Sequence, residues 1–144
     1  MNSTNTLSRF LSAQQNIYPQ VAKELKTGKK TTHWMWFVFP QIEGLGLSST
    51  AKYYSIKSIE EAKEYVAHPI LRTRLLECTN IILNVHGKSA DDIFGYPDYL
   101  KLKSSMTLFD YVNPEENVFA SVLKKYFINE KDQKTLSILK KNLM

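Results

Sequence analysis

The 144-residue sequence contains a single cysteine, Cys78, and lacks any long apolar run. One thiol can form neither an intrachain disulfide nor a thiolate zinc site, which excludes disulfide scaffolds and zinc-finger-like modules. The longest apolar run, Trp34–Phe39, is far shorter than the roughly 18 residues of a membrane-spanning helix, so we expect no membrane association. The uncharged segment Met1–Leu7 lacks the basic and apolar parts of a secretory signal, which favours a cytoplasmic location.

Arginine is scarce among the cations, since Arg9, Arg72 and Arg74 accompany sixteen lysines in a chain of net charge +5. Proteins that grip phosphates or read bases favour arginine, whereas lysines dispersed along helices are typical of a solvated surface. Lysines do cluster within residues 26–30 and 124–141. These clusters keep weak nucleic-acid binding open as an alternative, but the sequence argues against nucleic acid as the main partner.

Apolar residues recur at helical spacing along most of the chain. They predict an all-α or nearly all-α fold, a compact multi-helix orthogonal array that forms one domain over residues 1–144. Segment Leu7–Lys26 predicts one broken or two short helices, with Pro19 at the break and Gly28 as the stop. We expect the helix Pro69–His86 to be the most buried element, because its apolar stripe is wide.

Turn and capping residues mark the other boundaries. The expected helix starts are Ser58 (with Glu61 in a capping box), Ser89 (with Asp92), Pro97, Asn113-Pro114 and Asp132. The expected ends are His68-Pro69, Gly95 and Val112.

Segment Trp34–Phe39 is apolar at every position, so periodicity alone does not separate a strand from a buried helix. Few other runs are able to pair with a lone strand. We therefore expect a short buried helix, capped by Thr31 or Thr32 and stopped by Pro40.

Four segments carry specific motifs: His33–Gln41 (HWMWFVFPQ), Gly44–Gly46 (GLG), Ile93–Gly95 (IFG) and Ser104–Phe109 (SSMTLF). Together they resemble the bacterial family known as domain of unknown function 1810, over the stretch from about residue 10 to residue 136. The resemblance implies a mostly α-helical, single-domain bacterial protein, and it implies no reaction.

The first candidate site is His33 with Gln41, flanked by Trp34 and Trp36. An imidazole, an amide and two indoles can recognise a planar heterocycle by stacking and hydrogen bonding. The alternative is structural, with His33 at a helix start and both tryptophans in the core. No metal site is expected, because neither of the other histidines lies at ligand spacing from His33.

The second candidate is a glycine-bearing loop. Gly44 and Gly46 imitate a dinucleotide fingerprint, but Ser49 stands where the third glycine belongs, which argues against a Rossmann-type site. A helix beginning near Ser49 offers free amides, with Lys52 nearby, to a phosphate or carboxylate. Alternatively, the loop is a tight turn in which Ser48 or Ser49 caps that helix.

The third candidate is one face of the helix predicted after Pro97. Asp98, Lys101 and Ser105 fall at i, i+3 and i+7, so a carboxylate, an ammonium and a hydroxyl can face one ligand, with Ser104 beside them. A serine–lysine nucleophile pair is a further option. Alternatively, the serines allow close helix packing, and Asp98 and Lys101 form an ordinary surface ion pair.

Two more residues have mainly structural interpretations. His68, directly before Pro69, is expected to cap or pack at a helix junction, with a role in the pocket as the alternative. Cys78 lies on an apolar stripe and is expected to be an inert core residue.

The candidate segments depart from simple helical patterning, and such departures tend to mark functional sites. We therefore expect a small-molecule binding or enzymatic domain whose single pocket joins the three candidates and holds an anionic, nucleotide-like ligand. Trp34 or Trp36 is expected to form a wall, and Lys52 or Lys101 to supply the charge. The alternatives are a protein–protein interaction module without catalysis and a weak nucleic-acid-binding protein. We expect no cofactor, no metal, and a monomer or weak homodimer.

Overall fold

A computed structural model describes residues 3–142, with side chains from Leu7 onward. In this part of the chain ten helices follow one another. They are α1 (Ser3–Gln14), α2 (Tyr18–Thr27), α3 (Met35–Val38), α4 (Ser49–Tyr54), α5 (Ile59–Ala67), α6 (Pro69–Leu83), α7 (Ala90–Phe94), α8 (Asp98–Val112), α9 (Val118–Phe127) and α10 (Gln133–Asn142). The all-α fold class is confirmed. None of these helices is both long and apolar enough to cross a bilayer.

Local capping accounts for several helix starts. Ser58 caps α5 by accepting the Glu61 amide at 3.1 Å. Ser89 and Asp92 form a reciprocal capping box at the start of α7. The Asp132 carboxylate accepts a backbone amide of the first turn of α10 at 3.0 Å. Each cap satisfies an amide that has no partner inside its own helix, and the three predicted helix starts are confirmed. The capping box predicted at Ser58 is wrong in its second half, because the Glu61 carboxylate binds the Lys57 amide at 2.9 Å and Arg9 at 2.7 Å rather than the Ser58 amide.

The N-terminal segment forms two helices rather than one broken helix. Pro19 lies in the first turn of α2, where its missing N–H is harmless. Gly28 ends α2 in the left-handed region at φ +74°, as expected of a glycine after a helix.

Three predicted boundaries are wrong. α6 ends at Leu83, because the Asn84 amide turns back to the Ile81 carbonyl at 3.1 Å and tightens the last turn. α8 begins at Asp98, one residue after the predicted start. α9 begins at Val118, since residues 113–116 form a turn instead of a helical start.

The predicted cap of α3 is also wrong. α3 is a short buried helix, as expected, but its N-cap residue is Trp34 and no side chain caps it. Thr31 and Thr32 turn away from α3 and bind the carboxylate of Glu24 in α2.

α8 is more buried than α6, so the prediction that α6 is the most buried element is wrong. Seven residues of α8 are buried, against five in α6, although each helix has fifteen residues. The reason is that α5, α7, α9 and α10 all pack against α8, so it is covered on most sides. The start of α8 is less covered, and it is there that charged side chains gather.

Aromatic rings on either side of α3 pack against Phe94 of α7, close to the start of α8. The centroid of Trp34 lies 6.3 Å from that of Phe39 and 6.5 Å from that of Phe94. The Phe39 and Phe94 rings meet edge to face at 6.0 Å. This packing fixes the backbone that carries Trp36 toward the first turn of α8.

Candidate functional site

The first turn of α8 and the segment around α3 bring together an indole and three charged groups. The Lys101 ammonium lies 4.9 Å from the centroid of the half-buried Trp36 ring. Lys101 also pairs with Asp98 at 3.3 Å, and Asp98 pairs with Lys30 at 2.8 Å. We call these four side chains the Trp36–Lys101 cluster. It joins part of the first candidate site to part of the third.

Lys30 is the member of the Trp36–Lys101 cluster that the candidate sites did not include. Its side chain is only 7% exposed, and its ammonium lies 5.2 Å from the Trp34 ring centroid. The Lys30 amide donates to the Ile93 carbonyl at 2.7 Å, which ties this loop to α7. Nothing local in the sequence pairs Lys30 with Asp98, because they are far apart along the chain.

Trp34 belongs to the core. Its side chain is fully buried, and its indole N–H donates to Glu24 at 2.9 Å. A ring enclosed on all sides presents no face to a ligand, so the structural interpretation holds for Trp34, while Trp36 remains partly accessible.

Glu24 is a buried carboxylate that organises the loop leading to the cluster. It accepts the amides of Thr31 and Thr32 at 2.7 and 3.1 Å, the Thr32 hydroxyl at 2.6 Å, and the Gln20 amide at 2.9 Å. Burial raises the pKa of Glu24, but these hydrogen bonds and that from Trp34 outweigh it and hold the pKa below its ordinary value. The sequence signal was a carboxylate on the apolar face of α2, three residues after Val21.

His33 and Gln41 flank this region in sequence. The His33 side chain is exposed, and Gln41 is half-buried. The Gln41 carbonyl accepts the Ile56 amide at 2.8 Å, next to a parallel bridge between Ile42 and Ile56. Their participation in a ligand site stays a prediction.

The glycine-bearing loop packs on other elements. A Cβ at Gly44, where φ is +112°, would meet Ile138 of α10 at 3.2 Å, and a Cβ at Gly46 would meet Ala51 at 2.4 Å. The backbone conformation therefore favours glycine at position 44, and close packing against Ala51 requires glycine at position 46.

The turn interpretation of this loop is confirmed at Ser48, which caps α4 by accepting the Ala51 amide at 3.0 Å. Ser49 and Lys52 are exposed at the start of this six-residue helix. An anion site there, and its union with the Trp36–Lys101 cluster, stay predictions.

The two serines of α8 are buried. Ser104 donates to the Leu100 carbonyl at 3.1 Å. The Ser105 hydroxyl is fully buried, with no hydrogen-bond partner among the described residues. Lys101 contacts Asp98 and Trp36 instead of Ser105, and a hydroxyl sealed in the core cannot attack an external substrate. The geometry thus gives no support to a serine–lysine nucleophile.

His68 and Cys78 have the structural roles that the sequence favoured. The His68 Nδ1 accepts the amides of Ile70 and Leu71 at 3.2 and 3.4 Å, and so caps α6. Cys78 is fully buried, and burial is the main cause that raises the pKa of its thiol to about 12.

A second buried polar network was missed by the sequence analysis. Gln14 donates to the Phe37 carbonyl at 2.6 Å and to the Tyr65 hydroxyl at 3.1 Å, and Arg74 donates to Gln14 at 3.3 Å. Arg74 also lies 5.1 Å from the ring centroid of Tyr18. These bonds tie α1, α3, α5 and α6 together and serve packing.

Comparisons with known proteins identify a solved structure with a similar fold and the family of this chain. The structure is similar to the crystal structure of the conserved hypothetical protein Rv1873 from Mycobacterium tuberculosis, with a TM-score of 0.92 and 47% sequence identity over 93% of this chain and 96% of that chain. Among the curated proteins compared, none matches the chain. The sequence model of the family described as "Protein of unknown function (DUF1810)" matches residues 4–139. The chain therefore belongs to the DUF1810 family.

Proposed function

We propose that the protein binds a small anionic ligand with an aromatic ring, such as a nucleotide, at the Trp36–Lys101 cluster. The observation that carries the proposal is the Lys101 ammonium held 4.9 Å from the ring centroid of the partly accessible Trp36. An indole face and an adjacent ammonium are the two groups that a planar, anionic ligand needs.

The contact between Lys101 and Trp36 is weak enough to be exchanged for a ligand. A cation–π contact at a partly exposed site contributes about 0.5–1 kcal/mol. A charge-assisted hydrogen bond from the same ammonium to a phosphate contributes about 1.5–3 kcal/mol. Lys101 can therefore turn from the ring to the anion, and the indole face that it leaves can stack on the heterocycle.

The charge of the cluster suits an anion. Lys30 and Lys101 carry two positive charges against one negative charge on Asp98. Asp98 pairs with the nearly buried Lys30 at 2.8 Å and holds this ammonium in place, which lowers the entropy lost when the ligand is bound. We propose binding rather than catalysis, because the cluster contains no buried nucleophile or general base set against a reacting position.

The test is isothermal titration calorimetry with AMP, adenosine and inorganic phosphate. We expect AMP to bind and its two fragments to bind far more weakly. Trp36→Leu and Lys101→Met should each weaken AMP binding at least about tenfold, or about 1.4 kcal/mol. Lys103→Met is the matched control, since Lys103 lies on the same helix but pairs with Glu130. Binding of AMP that is equal in all four proteins would overturn the proposal, as would its absence from the wild type.

The same titration separates the alternative functions. An interaction module would show no AMP binding and would use exposed apolar side chains such as Tyr96 and Leu100 next to the cluster. A nucleic-acid-binding protein would bind an oligonucleotide far more tightly than AMP, with a steep dependence on salt. We also propose that the protein is bacterial, lies in the cytoplasm and is a monomer or a weak homodimer.

A further inference from the structure

A basic concavity of about 460 Å³ lies where the C-terminal ends of α2 and α6 meet. Its polar lining includes Lys26, Asn84, His86 and Lys88, and Ile81 contributes an apolar wall. The volume falls within the range of small-molecule sites. None of the candidate sites drawn from the sequence includes these residues.

Charge in and around the concavity is predominantly positive. Two lysines line it, and no aspartate or glutamate does. A third ammonium, that of Lys125, donates to the carbonyls of Leu83 and Val85 at 2.6 and 2.5 Å, and Val85 lines the concavity. The carboxylate of Asp92 takes part in the capping box of α7 and is the negative charge that interacts with Lys88.

Lysines near helix C-termini commonly bind the last backbone carbonyls, and here these bonds use some of the lysine N–H donors. Lys88 donates to the Gly28 carbonyl at 2.9 Å, at the end of α2. The carbonyl oxygens at a helix C-terminus carry together about half a negative charge, which repels an anion. Lys88 and Lys125 bind such carbonyl oxygens and so reduce this repulsion. An ammonium has three donors, so Lys88 keeps two after this bond.

The remaining polar groups also have donors to spare. Asn84 uses one amide proton on the Asn80 carbonyl at 2.8 Å and keeps the other. Thr27, by contrast, spends its only proton on the Glu24 carbonyl. The donors that can reach a ligand in the concavity are those of Lys26, Lys88, Asn84 and the His86 ring.

The Lys88 side chain lies close to the backbone of Gly28. It crosses Gly28 so closely that a Cβ at this glycine would lie 3.1 Å from the Lys88 Nζ and 3.2 Å from its Cδ. The Lys88 ammonium is also bound to the Gly28 carbonyl, and this hydrogen bond favours one position of the exposed Lys88 side chain. Such preordering lowers the entropic cost of binding.

We propose that this concavity binds the phosphate group of a small phosphate monoester. Lys88 and Lys26 neutralise its charge, the Asn84 amide and the His86 ring donate hydrogen bonds to its oxygens, and Ile81 packs against the organic part. The site is separate from the Trp36–Lys101 cluster and does not depend on the function proposed for it.

The test is a two-dimensional ¹⁵N–¹H NMR titration with glycerol 3-phosphate and inorganic phosphate, with glycerol and potassium chloride at matched ionic strength as controls. We expect both phosphates to shift the amides of residues 26–28 and 84–88, and the controls to leave them unmoved. Equal shifts with chloride, or shifts spread over all the lysine-bearing surfaces, would overturn the proposal.

Three variants separate the site from general charge effects. Lys88→Met and Lys26→Met should each weaken binding of glycerol 3-phosphate at least about tenfold. Lys26→Met is included because it leaves the contact between Lys88 and Gly28 intact. Lys23→Met, on an exposed position of α2, should bind as the wild type does. Equal binding by all three variants would contradict the site.

Two further measurements make the result specific. Shifts of the amides of residues 26–28 and 84–88 report on this concavity, and shifts at Trp36 and Lys101 report on the cluster, so failure here and failure of the proposed function are distinguishable. Tighter binding of a single-stranded oligonucleotide than of glycerol 3-phosphate, lost in Lys88→Met, would replace the small ligand by a nucleic acid and overturn the proposal.

Discussion

Glu24 is the residue on which the candidate site most depends. It lies on the apolar face of α2 and is only 3% exposed, yet it accepts five hydrogen bonds from four residues. These bonds fix the loop that carries Lys30 and hold Trp34 in the core. An ionised carboxylate is tolerated there because every bond donates to its charged form.

Glu24→Gln should destabilise the protein by about 1.5–3 kcal/mol at neutral pH, because a carboxamide cannot accept the same set of bonds. The folded-state pKa of Glu24 lies below its ordinary value of about 4.5. Its contribution to stability is therefore complete above that pH and is lost as the pH falls toward the folded-state pKa.

Urea unfolding from pH 7 down to pH 3 checks this prediction. The difference in unfolding free energy between wild type and Glu24→Gln should be constant above about pH 5 and shrink below it. Glu60→Gln, at an exposed position of α5, is the control. A difference independent of pH would show that Glu24 stabilises the fold by packing and not by charge.

Among the helices, the C-terminal ends of α2 and α6 meet at a junction that contains two glycines. Gly28 and Gly87 both have left-handed backbones, at φ +74° and +72°. They differ in their surroundings, since Lys88 crosses Gly28 while nothing lies within 4 Å of a Cβ at Gly87.

Gly28→Ala should therefore destabilise the protein more than Gly87→Ala. Both substitutions incur the left-handed strain of about 1–2 kcal/mol, and only the first also displaces Lys88. Thermal and urea unfolding of the two variants measure the difference. Equal losses would mean that the Lys88 side chain moves aside at no cost.

At the scale of the whole molecule, local features were predictable from sequence and distant pairings were not. The caps at Ser58, Ser89 and Asp132 each depend on a side chain and an amide three residues apart, which a sequence displays directly. The roles of Thr31 and Thr32 could not be found in this way, because their acceptor lies on another helix. The same holds for the ion pair that brings Lys30 to α8.

The burial of α8 shows a second reason for failure. Its apolar residues are spread around the helix together with serines and a threonine, so no single stripe marks it as central. Only the packing of four other helices around it makes this helix more buried than α6. α6 was preferred because its apolar stripe is wide.

The melting temperature should not respond to a chelator or to a reductant. Cys78 is the sole thiol of the chain and is buried, and among the described residues no three His, Cys, Asp or Glu side chains are grouped to hold a metal. A bound ion would add stability that a chelator removes. Differential scanning calorimetry with EDTA and with dithiothreitol tests this, and a large fall with either reagent would contradict it.

The contrasting surroundings of the two tryptophans have a spectroscopic consequence. Trp34 is fully buried and donates to the carboxylate of Glu24, whereas Trp36 is partly exposed to solvent and lies next to the ammonium of Lys101. Their emission should therefore separate into a blue-shifted component that acrylamide quenches poorly and a red-shifted component that it quenches well. The first component reports on whether the chain is folded, and the second on whether the Trp36–Lys101 cluster is occupied. The protein thus carries an intrinsic pair of optical probes that distinguishes unfolding from ligand binding without any label.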